Sequence, residues 1–241
     1  MRIIFSRKGF DSSAGGGPSP IVDGRPISLP IPAGAASRTT YRDLGLGDHA
    51  ARASRERIGA DDLCHHDPMF RPDGTCLFGQ CGAAQTHLER QGVGVGDAFV
   101  FFGLFADEYT GERHHRIFGY LRVDDEIPLA AGAPADLVEL AHPHALAMHS
   151  HNDVIWRGEG CTAGRASDAL RLTVPGGPPS LWARPEWLRQ GELSYHGRAD
   201  RWLDGGRLKS AARGQEFVAN IGQRQGPRKW LTQIIAAIRA S

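Results

Sequence analysis

The sequence predicts an α+β fold in which one mixed, partly closed β-sheet is flanked by helices. Two apolar runs, residues 98–105 and 117–123, stand on either side of a polar segment that contains a glycine, which is the pattern of a β-hairpin. Residues 80–90 and 227–240 have the apolar spacing of amphipathic helices. The 241 residues contain no linker and no internal repeat, so we expect one domain over residues 1–241.

The N-terminal half is expected to begin with a strand. Residues 2–7 are apolar at their centre, and a loop rich in glycine, serine and proline follows them. Residues 41–60 predict a short helix with charged faces. The run at residues 98–105 is apolar at nearly every position, which favours a strand that is buried on both faces.

The C-terminal half is expected to mix helices and strands. Residues 136–147 predict a helix that Pro143 interrupts, and residues 152–156 start a strand. Residues 169–174, ALRLTV, alternate apolar and polar side chains, and this predicts a further strand. Residues 185–190 predict a short helix because proline is favoured in the first helical turn.

Charge is distributed unevenly along the chain. Residues 1–59 carry nine Lys/Arg against five Asp/Glu, residues 60–180 carry eight against seventeen, and residues 181–241 carry eleven against five. If the two ends meet in the fold, they form one basic face that attracts phosphates. The alternative is a surface charge pattern that serves no partner.

Composition excludes several protein classes. No apolar run approaches the ~20 residues that a membrane span needs, and the apolar N-terminal segment is too short for a signal peptide. The four cysteines are irregularly spaced and form no CxxC motif, so we expect reduced thiols, no disulfide and a cytoplasmic protein. The sequence gives no indication of the oligomeric state.

The loop after the first strand combines cations, a carboxylate, hydroxyls and glycines. Asp11 and Ser12 are candidate catalytic residues, because a carboxylate beside hydroxyls can position a nucleophile or a sugar. Glycine N–H groups can surround an anion. The candidate ligand-binding residues here are Arg7, Lys8, Ser13, Gly15 and Gly16. The loop lacks the GK[ST] ending of a P-loop, and a flexible turn is the alternative interpretation.

Histidines concentrate in two other segments. Residues 61–68 and 142–153 contain residue types that bind metals, but neither segment has the spacing of a known metal motif. We therefore assign no metal ligand and expect no structural zinc in residues 142–151. The preferred interpretation is either a polar loop or one histidine that acts in proton transfer or contacts a base, with His149 and His196 as candidates.

Three aromatic residues are candidates for stacking on a nucleotide base. They are Trp156, Tyr195 and Trp202, which all lie in the C-terminal half of the chain. Stacking on an aromatic ring tolerates every base, since each base has a π-face.

Several motifs together resemble a known family. They are RIIFSRKGFDSSAGGGPSP at the N-terminus, then FGQCGAAQTHL, GDAFVFFGLF, HHRIFGYL, LTVPGG and GQEFVAN. They resemble the nucleotide modification associated domain family, third type. The resemblance implies a bacterial or phage protein that is encoded beside enzymes that make or use modified DNA bases. It implies no particular reaction, catalytic residue or cofactor.

The central hairpin carries a second resemblance. A helix, a Gly-Asp turn, a strand, a loop and the strand IFGYLRV follow one another, as in the PUA-like barrels that include the ASCH and EVE domains. This implies a PUA-like core at about residues 80–175 that handles nucleic acid, often a single unusual base.

These observations favour recognition or processing of a modified nucleotide or base, in DNA or as a free precursor. A reader would hold one base in an aromatic-lined slot, with phosphates on the basic face. An enzyme would use Asp11 as base or nucleophile, Arg7 and Lys8 as phosphate ligands, and a histidine to transfer protons. A structural partner in a modification complex is the third possibility. Nucleic acid or a modified nucleotide is the expected partner, and no cofactor is indicated.

Overall fold

The computed structural model of the protein describes residues 1–34, 36–212 and 216–240, so Gly214 and Gln215 of the GQEFVAN motif lie outside it. Its strands are β1 Arg2–Arg7, β2 Ser19–Val22, β3 Arg25–Pro26, β4 Met69–Phe70, β5 Thr75–Gln80, β6 Ala98–Asp107, β7 Arg113–Pro128, β8 Val154–Thr162, β9 Leu181–Ala183, β10 Trp202–Leu203, β11 Arg207–Lys209 and β12 Glu216–Asn220. Its α-helices are α1 Gly47–Ser54, α2 Gly82–Arg90, α3 Ala135–Glu139, α4 Pro143–Leu146 and α5 Gln225–Arg239.

The predicted hairpin forms the centre of the main sheet. β6 and β7 pair antiparallel over most of their length, with a register shift between Phe101 and Phe102. The sheet order is β12-β1-β6-β7-β8-β5-β4, and β1 runs parallel to β6 while the other pairs along this path are antiparallel. The sheet is mixed and curls into a half-barrel, which confirms the predicted α+β fold with a partly closed sheet.

The two ends of the chain meet at one edge of this sheet. β1 pairs antiparallel with β12, and Ile4 lies opposite Val218. Helix α5 follows β12 and packs Leu231, Ile235 and Ile238 against the apolar face formed by β1 and its neighbours. The N-terminal and C-terminal segments, which are both basic in sequence, are therefore neighbours in the fold.

Apolar residues cover both faces of the sheet. Side chains alternate along a strand, so Phe99 and Phe101 of β6 enter one core cluster and Val100 and Phe102 enter the other. The cluster of Phe99 and Phe101 also contains Phe78 of β5, whose ring lies 5.1 Å from that of Phe99 in an edge-on contact. Burial on both faces explains why residues 98–105 are almost wholly apolar.

Two of the predicted elements are absent from the described chain. Residues 169–174 form a 3₁₀ turn, Asp168–Leu170, and then isolated bridges at Arg171 and Thr173. The alternation in ALRLTV results from packing along the side of the sheet, because Leu170 and Leu172 are buried in the core. Residues 185–190 form turns and no helix, so the proline at their start marks a turn there.

The other predicted helices and strands are present, some of them with different bounds. The first strand has the predicted bounds, and the helix at residues 80–90 begins two residues later, at Gly82. Residues 136–147 form two short helices, α3 and α4, with Pro143 at the first position of α4. The four cysteines are free. Within the described residues, no helix has both the length and the apolar character needed to cross a membrane.

A matched pair of glycine substitutions tests the curled part of the sheet. The register of β7 and β8 shifts between Val123 and Asp125, and a Cβ added at Gly158 would lie 1.8 Å from the carbonyl oxygen of Arg122. We expect Gly158→Ala to lower the free energy of unfolding by ~1–3 kcal/mol, because backbone atoms must move to make room. Urea unfolding measures the change.

Gly94→Ala is the control for this prediction. A Cβ at Gly94 would have no atom within 4 Å, so the same substitution adds a methyl group without a clash. Equal stability of the two variants would contradict the close approach of β7 and β8 at this bulge.

Candidate functional site

A cavity of about 390 Å³ lies where the loop after β1 meets the end of β5 and the segment after α4. One wall comes from the N-terminal loop and carries the cations. The opposite wall comes from three segments that are far apart in sequence. It carries imidazoles, a carboxylate and a thiol, from His65, Asp67, Cys81, His144 and His149, and we call it the histidine wall. The lining residues with polar side chains are Arg7, Lys8, Asp11, Ser13, His65, Asp67, Gln80, Cys81, His144 and His149.

Lys8 is held at the cavity by a buried carboxylate. Its ammonium lies 3.1 Å from Glu216 Oε1 and 4.2 Å from the centre of the Phe78 ring. The same oxygen accepts hydrogen bonds from Ser6 Oγ at 3.1 Å and from Gln80 Nε2 at 2.8 Å. An ammonium has three N–H donors, so Lys8 retains donors for an anion in the cavity.

Arg7 lies beside Lys8 but projects from the other face of β1. Its Nη atoms donate to the carbonyl oxygens of Ala211 and Ala212 at 2.7 and 3.0 Å, and its guanidinium lies over the rings of Phe102 and Phe217. Burial lowers the pKa of Arg7, against the opposing charge of Asp11. A guanidinium has five N–H donors, so these two contacts leave some for a ligand.

Asp11 shapes the loop that carries the cations. Its Oδ1 accepts hydrogen bonds from Ser13 N, Ser13 Oγ and Ala14 N at 2.7, 2.6 and 2.9 Å. This is the local pattern by which an aspartate closes a turn on its own backbone. Gly15 and Gly16 follow with φ near +84°, and Gly15 lies against the ring of Phe10.

His144 is the imidazole of the opposite wall whose ring is fixed by a hydrogen bond to a buried carboxylate. It is buried, and its Nδ1 hydrogen-bonds to Oδ1 of the buried Asp153. The ring lies flat over Gly79, where an added Cβ would be 2.2 Å from His144 Cδ2. Because Asp153 fixes Nδ1, the Nε2 atom is the one left to act on a ligand.

His149 and His65 surround His144. The His149 ring stacks on His144 with centroids 4.5 Å apart, and the His65 ring meets both of them edge-on. His149 N donates to Asp153 Oδ2 at 2.7 Å, and His149 Nδ1 lies 2.6 Å from Ala147 O. Since a carbonyl oxygen only accepts, Nδ1 carries the proton and Nε2 is free to accept one.

Asp67 is a buried carboxylate in which one of the two oxygens accepts a hydrogen bond. Its Oδ1 accepts a hydrogen bond from Gly79 N at 2.8 Å and lies 3.5 Å from His142 Nε2. Its Oδ2 lies 3.9 Å from His65 Nε2 and accepts no hydrogen bond from a described residue. The side chain is only 4% exposed, so Oδ2 is an unpartnered polar atom at the cavity wall.

Burial and neighbouring charges set the protonation of this wall. Burial lowers the pKa of His65 to about 4, against the opposing charge of Asp67, so the ring is neutral at pH 7. Burial alone would raise the pKa of Asp67, but the surrounding imidazoles, His142 foremost, hold it below its usual value. Burial raises the pKa of the Cys81 thiol, and the carboxylates of Asp153 and Asp67 raise it further.

Two overlapping groups of side chains have the composition of a metal site. The ligand-type atoms of His65, Asp67 and His144 all lie within 4.8 Å of one another, and so do those of Cys81, His144 and Asp153. His144 belongs to both groups. Their members come from the loop before β4, the end of β5, helix α4 and the start of β8.

The cavity contains only part of the set of residues predicted from sequence. It brings together Arg7, Lys8, Asp11, Ser13 and His149. Ser12 is exposed in the same loop and lines a neighbouring depression, while Gly16 lies in a separate groove beside α1. Gly15 supports the turn from behind, against Phe10.

The other predicted residues lie away from this cavity. His196 is buried, with Nδ1 near Ser194 O and Nε2 accepting from Ala211 N. Trp156 is buried in the core cluster that contains Phe99 and Phe101. Trp202 Nε1 donates a hydrogen bond to His196 O. Tyr195 is 48% exposed and its ring lies tilted against that of His87, with centroids 4.6 Å apart, outside the cavity.

Five polar residues of this region are not predictable as site residues from the sequence: His65, Asp67, Cys81, His144 and Asp153. Each lies in a segment with recognisable residue types, but residues 65–67 and 144–153 are separated by almost eighty positions. Spacing motifs detect only ligands that are close in sequence. The one local signal was Gly79, because a glycine inside a strand often marks the close approach of another group.

A model of a protein family described as nucleotide modification associated domain 3 matches residues 2–220 of the chain. The match starts at β1 and ends at the last residue of β12, so it contains the complete curled sheet and all the residues that line the cavity. Searches of curated proteins and of solved structures found no match.

The turn closed by Asp11 generates a stability prediction. We expect Asp11→Ala to lower the free energy of unfolding by about 1 kcal/mol, because three hydrogen bonds within the loop are lost at a partly exposed site. Ser12→Ala is the control, since no hydrogen bond of the Ser12 side chain to a described residue is present. Chemical denaturation of both variants gives the comparison, and equal stability would contradict this role of Asp11.

Proposed function

Because the chain belongs to the nucleotide modification associated domain 3 family, we propose that it is an enzyme that processes a modified nucleotide or its base. The match over residues 2–220 confirms the resemblance seen in the sequence motifs, and the family is associated with nucleotide modification. The proposal goes further and assigns a reaction site to the cavity between the N-terminal loop and the histidine wall.

The observation that carries the proposal is the chemistry of the cavity lining. Groups that can bind an anion lie on one wall. Groups that can transfer protons or bind a metal ion lie on the other. Among the described lining residues the only rings are imidazoles, with no Phe, Tyr or Trp. Imidazoles can stack on a base, but those of His65, His144 and His149 already pack on one another. The lining therefore favours an enzyme over a reader that stacks a base on a free ring.

The size of the cavity favours a single nucleotide as the substrate. About 390 Å³ lies at the lower end of the range for small-molecule sites. One nucleotide fits such a volume, either free or turned out of a strand, whereas a duplex does not. The rest of a nucleic-acid strand would lie outside the cavity, where the basic N-terminal and C-terminal segments are neighbours.

We assign the residues of the two walls different roles. Lys8 and Arg7 bind a phosphate, with Ser13 beside them. His149 accepts a proton at Nε2, and its side chain is 27% exposed, so a substrate can reach it. Asp153 positions His149 and His144, and Asp11 keeps the shape of the loop. His65, Asp67 and His144 form the centre at which the base or sugar reacts.

Removal of the imidazole of His149 tests the assignment of the reaction. We expect His149→Gln to fold normally and to lower turnover by ~100-fold or more, the usual contribution of a general base. His151→Gln is the matched control, because His151 is exposed and does not line the cavity. Both variants are incubated with a panel of modified nucleotides and oligonucleotides, and products are measured by mass spectrometry.

The same panel separates the competing functions. Conversion of a nucleotide by the unmodified protein supports the enzyme. Retention of a modified oligonucleotide without any change of mass would replace it with a reader. Failure to bind or convert any compound would leave a structural role in a modification complex as the better interpretation.

The phosphate contact generates a separate prediction about Lys8. Removing Lys8 alone would leave Glu216 buried without a counter-charge, so we compare Lys8→Gln/Glu216→Gln with Glu216→Gln. We expect the double variant to bind a phosphorylated substrate ~10–100-fold more weakly, which corresponds to one charged hydrogen bond, and to bind the matching nucleoside unchanged.

Titration calorimetry measures both affinities for this comparison. Lys229→Gln, at an exposed lysine on α5, controls for a general loss of positive charge. An equal loss of affinity for nucleotide and nucleoside, or a loss of the same size in Lys229→Gln, would contradict a phosphate contact at Lys8.

A further inference from the structure

We infer that His65, Asp67 and His144 bind one divalent transition-metal ion at the wall of the cavity. The inference deepens the proposed function and rests on it for its meaning, since the ion would be the reactive centre opposite Lys8. It differs from the expectation from sequence, which assigned no metal because neither histidine segment has a recognisable spacing. The site uses one ligand from residues 142–151 and two from residues 65–67.

The first support is that two of the three ligands, His144 and Asp67, are fixed by a hydrogen bond at the atom that would not bind the ion. His144 gives Nδ1 to Asp153, which leaves Nε2 for an ion. Asp67 receives Gly79 N–H at Oδ1, which leaves Oδ2 without a hydrogen bond from a described residue. A carboxylate on the far nitrogen of a ligating histidine is the usual second layer of a metal site, because it orients the ring and raises its basicity.

The second support is the position of Asp67 Oδ2. The side chain is almost completely buried, yet this oxygen has no donor within hydrogen-bond distance among the described residues. This oxygen is not one of the fully buried polar atoms that lack a partner among the described residues, so it is open to the cavity and can reach an ion there. The nearest group is His65 Nε2 at 3.9 Å, which is too far for a hydrogen bond and suitable for two ligands of one ion.

The distances allow an ion after a small contraction. The three ligand atoms lie within 4.8 Å of one another. Ligands at ~2.0–2.2 Å from the ion in a tetrahedral site are ~3.3–3.6 Å apart, so His65 Nε2 and Asp67 Oδ2, at 3.9 Å, need to approach each other by only a few tenths of an ångström. His65 makes no side-chain hydrogen bond to a described residue and has the freedom to supply this movement.

The donor set selects the class of ion. Two imidazole nitrogens and one carboxylate oxygen suit first-row divalent cations such as Zn²⁺, and they are too few and too nitrogen-rich for Ca²⁺ or Mg²⁺. Three protein ligands leave an open position for water or substrate, as in catalytic metal sites. That position faces the cavity, whose other wall carries Lys8.

The second group is the weaker candidate for the ion. Cys81, His144 and Asp153 also lie within 4.8 Å of one another. However, Asp153 Oδ1 already accepts a hydrogen bond from His144 Nδ1, which an ion between them would break. The two groups predict different ligands and can therefore be separated by experiment.

Metal binding is measured on the full chain without any substrate. The protein is treated with a chelator, the chelator is removed, and Co²⁺ is titrated while visible absorption is recorded, with Zn²⁺ binding measured by calorimetry. We expect one equivalent per chain. Because no turnover is measured, this result can fail while the enzyme assay succeeds, or the reverse.

Variants identify the ligands. We expect Asp153→Asn to weaken binding ~10–100-fold, the usual effect of losing a second-layer carboxylate, and His65→Gln to weaken it more. Cys81→Ser and His151→Gln are controls that keep the affinity of the unmodified protein. Circular dichroism checks the fold of each variant.

X-ray absorption on the Zn²⁺-loaded unmodified protein gives the same information if His65→Gln does not fold. Only nitrogen and oxygen neighbours are expected, whereas a sulfur neighbour at ~2.3 Å would place the ion on Cys81. The inference is overturned by the absence of saturable binding, by unchanged affinity in folded His65→Gln, by loss of binding in Cys81→Ser, or by that sulfur neighbour.

Discussion

The site depends on the curl of the sheet, and a single buried carboxylate oxygen joins the strands that the curl brings together. β5 and β12 are separated in the sheet by β1, β6, β7 and β8, yet Gln80 at the end of β5 hydrogen-bonds to Glu216 at the start of β12. Lys8 and Ser6 of the intervening N-terminal segment use the same oxygen. A flat sheet would separate these residues and the two walls of the cavity with them.

The two walls differ in how they are stabilised, and this difference follows from their sequence origin. The cationic wall is one continuous loop, closed by Asp11 onto its own backbone. The histidine wall has no such continuity. Its groups are fixed instead by a hydrogen bond from His144 to the buried Asp153 and by one from Gly79 N–H to Asp67. A wall built from separate segments can hold ligands at angles that one loop cannot reach.

How much could be predicted from the sequence depended on the range of the interaction. The hairpin, the first strand and the last helix were predictable because apolar periodicity is local. The strand predicted at residues 169–174 was wrong, since burial of Leu170 and Leu172 produces the same alternation without a ladder. The cationic loop was predictable for the same local reason. The pairing of His65 with His144 was not, because it depends on the curl.

Gly79 has a consequence for recognising chains that have lost this site. Its missing side chain is what allows the His144 ring to lie over β5, and its N–H holds Asp67. A relative with all the polar residues but a larger residue at this position would have no room for the imidazole in the same place. A glycine at this position is therefore a sequence marker for an intact histidine wall, and it can be checked without reference to any catalytic residue.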